Sequence, residues 1–258
     1  MSGTASLLAE LPARAFGLVL VFSRIGAAAM MLPGIGEPEL PRNVRLGFTL
    51  GCTLLLLPAV SPLLPPLPAS GWAVAGMVVA EIATGLWLGW MPRLLVQTLP
   101  VAGQFVASAI GLASVLQPDP RLGPETTALS RLFSLGAPTL LFASGLYALP
   151  LAALAGSYHL VPAGALLPPA DSARAATLAV AEAFSLSLRL AAPFLLAGLL
   201  WQGGLGLLAR LVPNLQVFAA SLPGQILLGL VLLALLGAGM FAAWHDQVRA
   251  AFSRLPGV

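Results

Sequence analysis

Long apolar runs separated by short breaks organise this chain. Seven stretches, residues 15–32, 46–67, 72–91, 94–116, 132–158, 175–208 and 225–244, approach the roughly 20 mostly apolar residues that a membrane-crossing helix needs. The breaks fall at 34–41, 65–68, 117–120, 168–169 and 212–214, and each contains proline. Proline fixes its own backbone and biases the preceding residue away from helix, so these clusters punctuate the chain. No run alternates polar and apolar residues with period two, and all exceed strand length, which argues against a barrel. The pattern therefore predicts an all-α, polytopic, membrane-associated fold of helical hairpins broken by Pro and Gly.

Composition sharpens this picture. Hydrophobic residues make up 59% of the 258 and charged residues only 8%, against about 25% in soluble domains. So little charge cannot cover a water-facing surface. No polar stretch is long enough for a second, soluble domain, and residues 1–258 read as one membrane-embedded unit. At the amino terminus, Arg14, an apolar run and Ala27-Ala28-Ala29 imitate a cleaved signal. Glu10 precedes the run, Arg24 interrupts it and apolar sequence continues to Leu32, so an uncleaved first segment is the expectation.

All twelve basic residues are arginine. Without lysine there is neither a phosphate loop ending in Gly-Lys-Ser/Thr nor Schiff-base chemistry. A net charge of +3, scattered along the chain, gives no nucleic-acid surface. Cys52 lies in an apolar run and reads as a small hydrophobe. His159 and His245 lack ligand-type neighbours at useful spacing; Asp246 beside His245 is expected to point elsewhere on a helix. The letters Gly204-Leu-Gly206-Leu-Leu-Ala209 imitate a dinucleotide fingerprint, but no strand precedes them. No nucleophile elbow occurs. No enzyme, metal site or cofactor is expected.

Polar residues inside the apolar runs carry more information. Arg24, Glu81, Glu182 and Arg189 interrupt the first, third and sixth segments, where a lipid-facing charge costs roughly 2.5–3.5 kcal/mol. Glu182 and Arg189 share a helix face about 10 Å apart, too far for a direct pair, so each is expected to meet another helix or chain. Without an acidic relay, inter-helix or inter-subunit contacts are favoured over a proton pathway, and Glu81 is expected at an interface. Gln97, Gln104 and Gly111 recur every seven residues, with Ser108 and Ser114 near the same face; Gly47/Gly51 and Gly85/Gly89 are small-residue pairs. Such stripes let helices approach and hydrogen-bond. Basic residues do not settle orientation, since Arg42, Arg45 and Arg93 fall on one side of a seven-span scheme and Arg121, Arg131 and Arg210 on the other. Some segments are therefore expected not to be ordinary bilayer spans.

The order of several motifs resembles the FliR family of type III export-gate subunits, flagellar and injectisome, along nearly the whole chain. Its carriers are Pro41-Arg-Asn-Val-Arg-Leu-Gly47, Glu81-Ile-Ala-Thr-Gly-Leu-Trp-Leu-Gly89 and Gly103-Gln104 leading to Gly111-Leu-Ala-Ser114. Pro118-Asp-Pro120, Arg131, the stretch 208–218 and Leu222-Pro-Gly-Gln225 complete them. The resemblance implies a subunit of a helical gate in the bacterial inner membrane, at the flagellar basal body. It implies partners FliP, FliQ and FlhB, membrane lipid around the assembly, and unfolded export substrates crossing it. It also implies a FliP-like part at roughly 1–174, a FliQ-like hairpin at roughly 175–258, and a channel plug at Ile110, Gly111, Leu112, Ala113, Ser114, Val115 and Leu116. The plain alternative for 111–116 is the end of a packed helix. An injectisome subunit and a small-molecule secondary transporter stay open as other functions, the latter on proline-broken helices and Glu81. A short echo links Leu99-Pro-Val-Ala-Gly-Gln104 with Leu222-Pro-Gly-Gln225, too brief to count as a repeat.

Overall fold

The computed structural model describes residues 2–112, 127–211, 217–255 and 257. Among them it forms helices α1 (Ser2–Met31), α2 (Arg42–Val60, continued by the 3-10 turn Ser61–Leu63), α3 (Gly71–Val96), α4 (Thr98–Ala109), α5 (Ala128–Ala143), α6 (Ala148–Leu160), α7 (Pro169–Leu211) and α8 (Val217–Phe252). No strand occurs among the described residues. The breaks at 34–41, 65–68 and 168–169 all end or begin helices; those at 117–120 and 212–214 lie outside the described residues.

Two expected boundaries are corrected. The segments at 72–91 and 94–116 join into one apolar stretch, Gly71–Ala109, of 39 residues, interrupted only at Gln97. Pro100 falls in the first turn of α4, where its missing N–H would have had no intrahelical partner. The segment at 132–158 breaks instead into α5 and α6 around Gly145, at φ 74°. That is a left-handed conformation that glycine adopts at no steric cost. Among the described residues, five helices are long and apolar enough to cross a membrane, or six with the α5–α6 pair counted once, instead of seven. At 1.5 Å per residue the 39 residues from Gly71 and the 43 of α7 reach about 58 and 65 Å, far beyond a hydrocarbon core of about 30 Å.

The helices pack as two compact units. The first comprises residues 1–94, 141–179 and 251–258. Its core gathers Val21, Ile25 and Ala28 of α1 and Leu32 just after it with Val60, Leu154, Tyr158 and Ala163. Gly85 and Gly89 let α3 press against α1: a Cβ at Gly89 would stand 2.5 Å from the Ala28 carbonyl oxygen, and one at Gly85 would overlap the Arg24 carbonyl. Gly47 and Gly51, by contrast, face open space. The second unit comprises residues 95–140 and 180–250. Leu99, Ala102 and Val106 of α4, Phe133 and Ala137 of α5, Ala191 and Phe194 of α7, and Trp244 and Val248 of α8 are buried there. Trp244 donates its indole N–H to the Thr98 hydroxyl at 3.1 Å, and Ser187 donates to the Thr98 carbonyl, also at 3.1 Å.

Candidate functional site

The residues expected to plug a channel begin where α4 ends. Ile110, Gly111 and Leu112 are described; Ala113, Ser114, Val115 and Leu116 lie outside the described residues. Gly111 sits at φ 80°, and the Leu112 amide returns to the Ala107 carbonyl at 3.0 Å. This is a glycine-capped helix end in which the sixth residue bonds back to the first. Ile110 is buried and faces Gly229 of α8, where a Cβ would overlap its side chain. At Gly198 of α7 a Cβ would stand 2.6 Å from the Ala109 carbonyl oxygen. Gln225 of α8 donates its amide N–H to that oxygen at 2.9 Å and accepts from the Gln202 amide of α7 at 3.3 Å. The end of α4 is thus held on two sides by glycines that admit it and by an amide that bonds it.

At the start of α5, the Gln104 side-chain oxygen accepts from both the Thr127 amide, at 3.2 Å, and the Thr127 hydroxyl, at 3.0 Å. Thr127 in turn accepts the Ser130 amide at 3.2 Å, a side-chain cap on the first turn. Gly103 makes room beside it, since a Cβ there would stand 3.2 Å from the Ser130 backbone.

The buried charges lie in the first unit. Arg24 and Glu81 are both fully buried and bond through two parallel contacts, Nε to Oε2 at 2.7 Å and a terminal nitrogen to Oε1 at 2.9 Å. Arg24 also donates to the Ser157 hydroxyl at 3.2 Å and the Val161 carbonyl at 3.1 Å, and its guanidinium lies 4.0 Å from the Tyr158 ring centroid. The Gly164 amide donates to Glu81 at 2.6 Å. Glu81 thus pairs with another helix of the same chain. Its cation comes from α1, so the pair is satisfied between two helices of one unit.

The remaining predicted polar contacts divide. Arg131 is half-buried on α5 and lies 3.5 Å from the Ser134 hydroxyl. Gln97 is exposed at the α3–α4 interruption. Glu182, Arg189 and Arg210 are exposed on α7, and Glu182 and Arg189 form no ion pair among the described residues. Arg210 stands in the last turn of α7, where a cation complements the carbonyl end of the helix. His245 contradicts its expected isolation, lying 3.5 Å from Asp246 at an exposed position. No group of three or more metal-ligating side chains occurs among the described residues.

Sequence reasoning missed Gln202 and Gln225 as site residues. A signal existed: Gln225 closes the short echo whose other copy closes on Gln104.

Residues 15–251 match the family described as bacterial export proteins, family 1. The flagellar biosynthetic protein FliR of Caulobacter vibrioides is 35% identical over 89% of this chain and 92% of its own length. FliR of Escherichia coli is 26% identical over 83% of this chain and 81% of its own. The Yop proteins translocation protein T of Yersinia pestis is 26% identical over 79% of each.

Proposed function

This chain belongs to the bacterial export proteins, family 1, and on that premise we propose that it is a structural channel subunit of the flagellar type III protein-export gate. The observation that carries this is the match to flagellar FliR over nine-tenths of both chains. It is an integral membrane export component, and its relatives are named as export components, not as enzymes. Its companions are FliP and FliQ, with FlhB in contact, and unfolded flagellar proteins cross the assembly. The gate resides in the bacterial inner membrane at the flagellar basal body, with lipid at its edge. No catalytic step is assigned to the chain.

The physical support is a mismatch between these helices and a bilayer. Stretches of about 58 and 65 Å with exposed apolar residues, Val79 and Ile82 in the first and Leu199 and Leu200 in the second, and with the exposed charges Glu182 and Arg189 in the second, suit burial against other polypeptides. In this reading residues from 1 to roughly 174 form the FliP-like part and those from roughly 175 to 258 a FliQ-like hairpin. Gln202 bonding to Gln225 joins the two arms of that hairpin. Arg131, Gln97, Glu182, Arg189 and Arg210 serve contacts with other helices or subunits. Residues 110–116 plug the channel, where an apolar constriction holds back ions by dewetting. These residues are aliphatic or small, so the seal is apolar and thin.

The experiment is isolation from native membranes with identification of bound proteins. Co-purification of FliP and FliQ supports the gate; recovery of a lone monomer or dimer favours a self-contained transporter. The injectisome reading, favoured by the Yersinia relative, parts from the flagellar one on deletion of the gene, which abolishes motility only in the flagellar case.

A further inference from the structure

We propose that the groove between α1 and α2 is a binding site for one anionic phospholipid. Arg42 and Arg45 hold its phosphate, and an acyl chain lies against Phe22, Met30, Leu46 and Leu86. The proposal rests on the chain being membrane-inserted and is independent of its place in an export gate.

The groove has a volume of about 620 Å³, and its lining belongs to the first unit. Ligand pockets measure about 300–1,000 Å³ and combine an apolar body with a few polar groups that fix orientation. Here the two kinds of surface are separated along one axis. α1 ends at Met31 and α2 begins at Arg42, so Met30, Arg42 and Arg45 stand at the end of the hairpin nearest the connecting loop. Phe22, 8 residues before Met30, lies about 12 Å along the helix from it. Ser23 and Thr49, the hydroxyls in the lining, donate to the Val19 and Arg45 carbonyls of their own helices at 2.7 and 2.9 Å. The body of the groove therefore makes no demand that a polar ligand would answer. Met30 and Leu46 are 60% and 52% exposed, so the groove opens outward.

The other end suits an anion. Arg45 is half-buried and anchored: its Nε donates to the Ile35 carbonyl at 3.2 Å and one terminal nitrogen donates to the Glu37 carbonyl at 2.8 Å. Its other terminal nitrogen is left to donate to a phosphate. Arg42 is exposed and forms no hydrogen bond or ion pair among the described residues. The lining contains no carboxylate. Glu37 and Glu39 lie in the loop outside it, Glu37 at 3.5 Å from Arg93. Guanidinium forks match phosphate oxygens, and basic pockets between membrane helices take anionic headgroups.

A lipid suits this hairpin better than another polypeptide does. The apolar spans Glu10–Met31 and Arg42–Leu63 are 22 residues each, or about 33 Å, which matches a hydrocarbon core of about 30 Å. The stretches of 39 and 43 residues do not. Of α2 only Thr49, Thr53 and Val60 are buried, so its other side chains face outward. A span of that length places Arg42 and Arg45 at the edge of the core, where headgroup phosphates lie and where long basic side chains reach.

The test is native mass spectrometry of the full chain, purified in detergent and titrated with phosphatidylglycerol or phosphatidylcholine of the same acyl chains. Each arginine beside an anionic headgroup contributes about a fivefold preference. The parent is expected to retain one phosphatidylglycerol about 25-fold more tightly than phosphatidylcholine. Arg42→Gln is expected to lose about fivefold of that preference, and Arg42→Gln/Arg45→Gln all of it. Leu46→Trp, which fills the apolar body, is expected to weaken retention of both lipids. Arg174→Gln, at an exposed position of α7, is expected to match the parent.

Equal affinity for the two lipids overturns the proposal, as does a parental preference in Arg42→Gln or unchanged retention in Leu46→Trp. A loss in Arg174→Gln as large as that in Arg42→Gln also overturns it, because the preference is then diffuse attraction to surface charge. Replacing Arg45 removes two loop contacts; should the double variant fail to fold, Arg42→Gln decides alone. Where companion proteins co-purify, the same titration on the assembly separates a lipid from a polypeptide. Retention with companions bound supports the lipid site, and retention lost when they bind assigns the groove to a companion helix and overturns it.

Discussion

Arg24 and Glu81, 57 positions apart, grip one another through two parallel hydrogen bonds with both side chains wholly buried. The fork of a guanidinium matches the two oxygens of a carboxylate, and the remaining valences are met by Ser157, Val161 and Gly164. Four pieces of chain, α1, α3, α6 and the turn after α6, converge on one neutral cluster. A charge pair removed from water offsets its desolvation only when its geometry is this complete. Its consequence is directional: α1, α3 and the segment from α6 through the turn after it must fold together before all of these polar groups are satisfied.

Glu81→Ala leaves Arg24 buried without its carboxylate. Breaking a buried pair from one side costs about 3–5 kcal/mol, and for a chain of this length that lowers the melting temperature by about 10 °C. The double variant Arg24→Met/Glu81→Leu removes both charges and is expected to melt above the single variant. Thermal unfolding of the detergent-purified chain measures both. A single variant as stable as the parent would mean that the pair contributes nothing to the fold.

Gly85→Val tests the close approach of α1 and α3. A side chain there overlaps the Arg24 backbone carbonyl, so the helices must separate and the Arg24–Glu81 contact lengthens with them. Overpacking of this kind costs about 1–3 kcal/mol. Gly51→Val, with open space around its Cβ position, is expected to leave chain stability unchanged. Equal destabilisation by both would argue against the glycine-mediated approach.

How much was legible in the sequence follows from what periodicity encodes. Helix class and most breaks were visible because proline and apolar run length act locally. The merger of 72–91 with 94–116 was not, because run length alone does not show whether a short gap ends a helix. In the fold Pro92 lies within α3 and Pro100 within the first turn of α4. Glycine pairs show the same limit: Gly85/Gly89 and Gly47/Gly51 have the same spacing, and only the first pair meets a helix. Arg24 and Glu81 each stand out in the sequence as charges needing a partner, but nothing local says that one answers the other across 57 residues. Gln225 is not legible, because a lone amide in an apolar helix looks like any other until its acceptor, the Ala109 carbonyl, is placed.

Replacing residues 111–116 with polar side chains, or deleting them, is expected to raise ion conductance through the assembled gate. An apolar constriction excludes ions because water leaves it, and hydroxyl or amide groups would rewet it. Bilayer conductance of the purified assembly reads this directly. Parental conductance would remove the plug assignment and return these residues to the role of a helix end.

Glu182 and Arg189 pose the opposite case from Arg24 and Glu81. Both are exposed on α7 amid exposed Leu178, Val180, Phe184 and Leu188. Placed in hydrocarbon, each would cost about 2.5–3.5 kcal/mol; placed against a companion chain with an opposite charge or hydrogen-bonding groups, the cost is offset. Glu182→Ala and Arg189→Ala remove exposed groups that form no ion pair among the described residues, so the melting temperature of the isolated protein should stay within a few degrees. Recovery of FliP and FliQ with the tagged variant should fall several-fold, because the companion's partner group is left unpaired in the interface. Alanine variants that pull down both companions at parental yield would place this face of α7 against lipid or water instead.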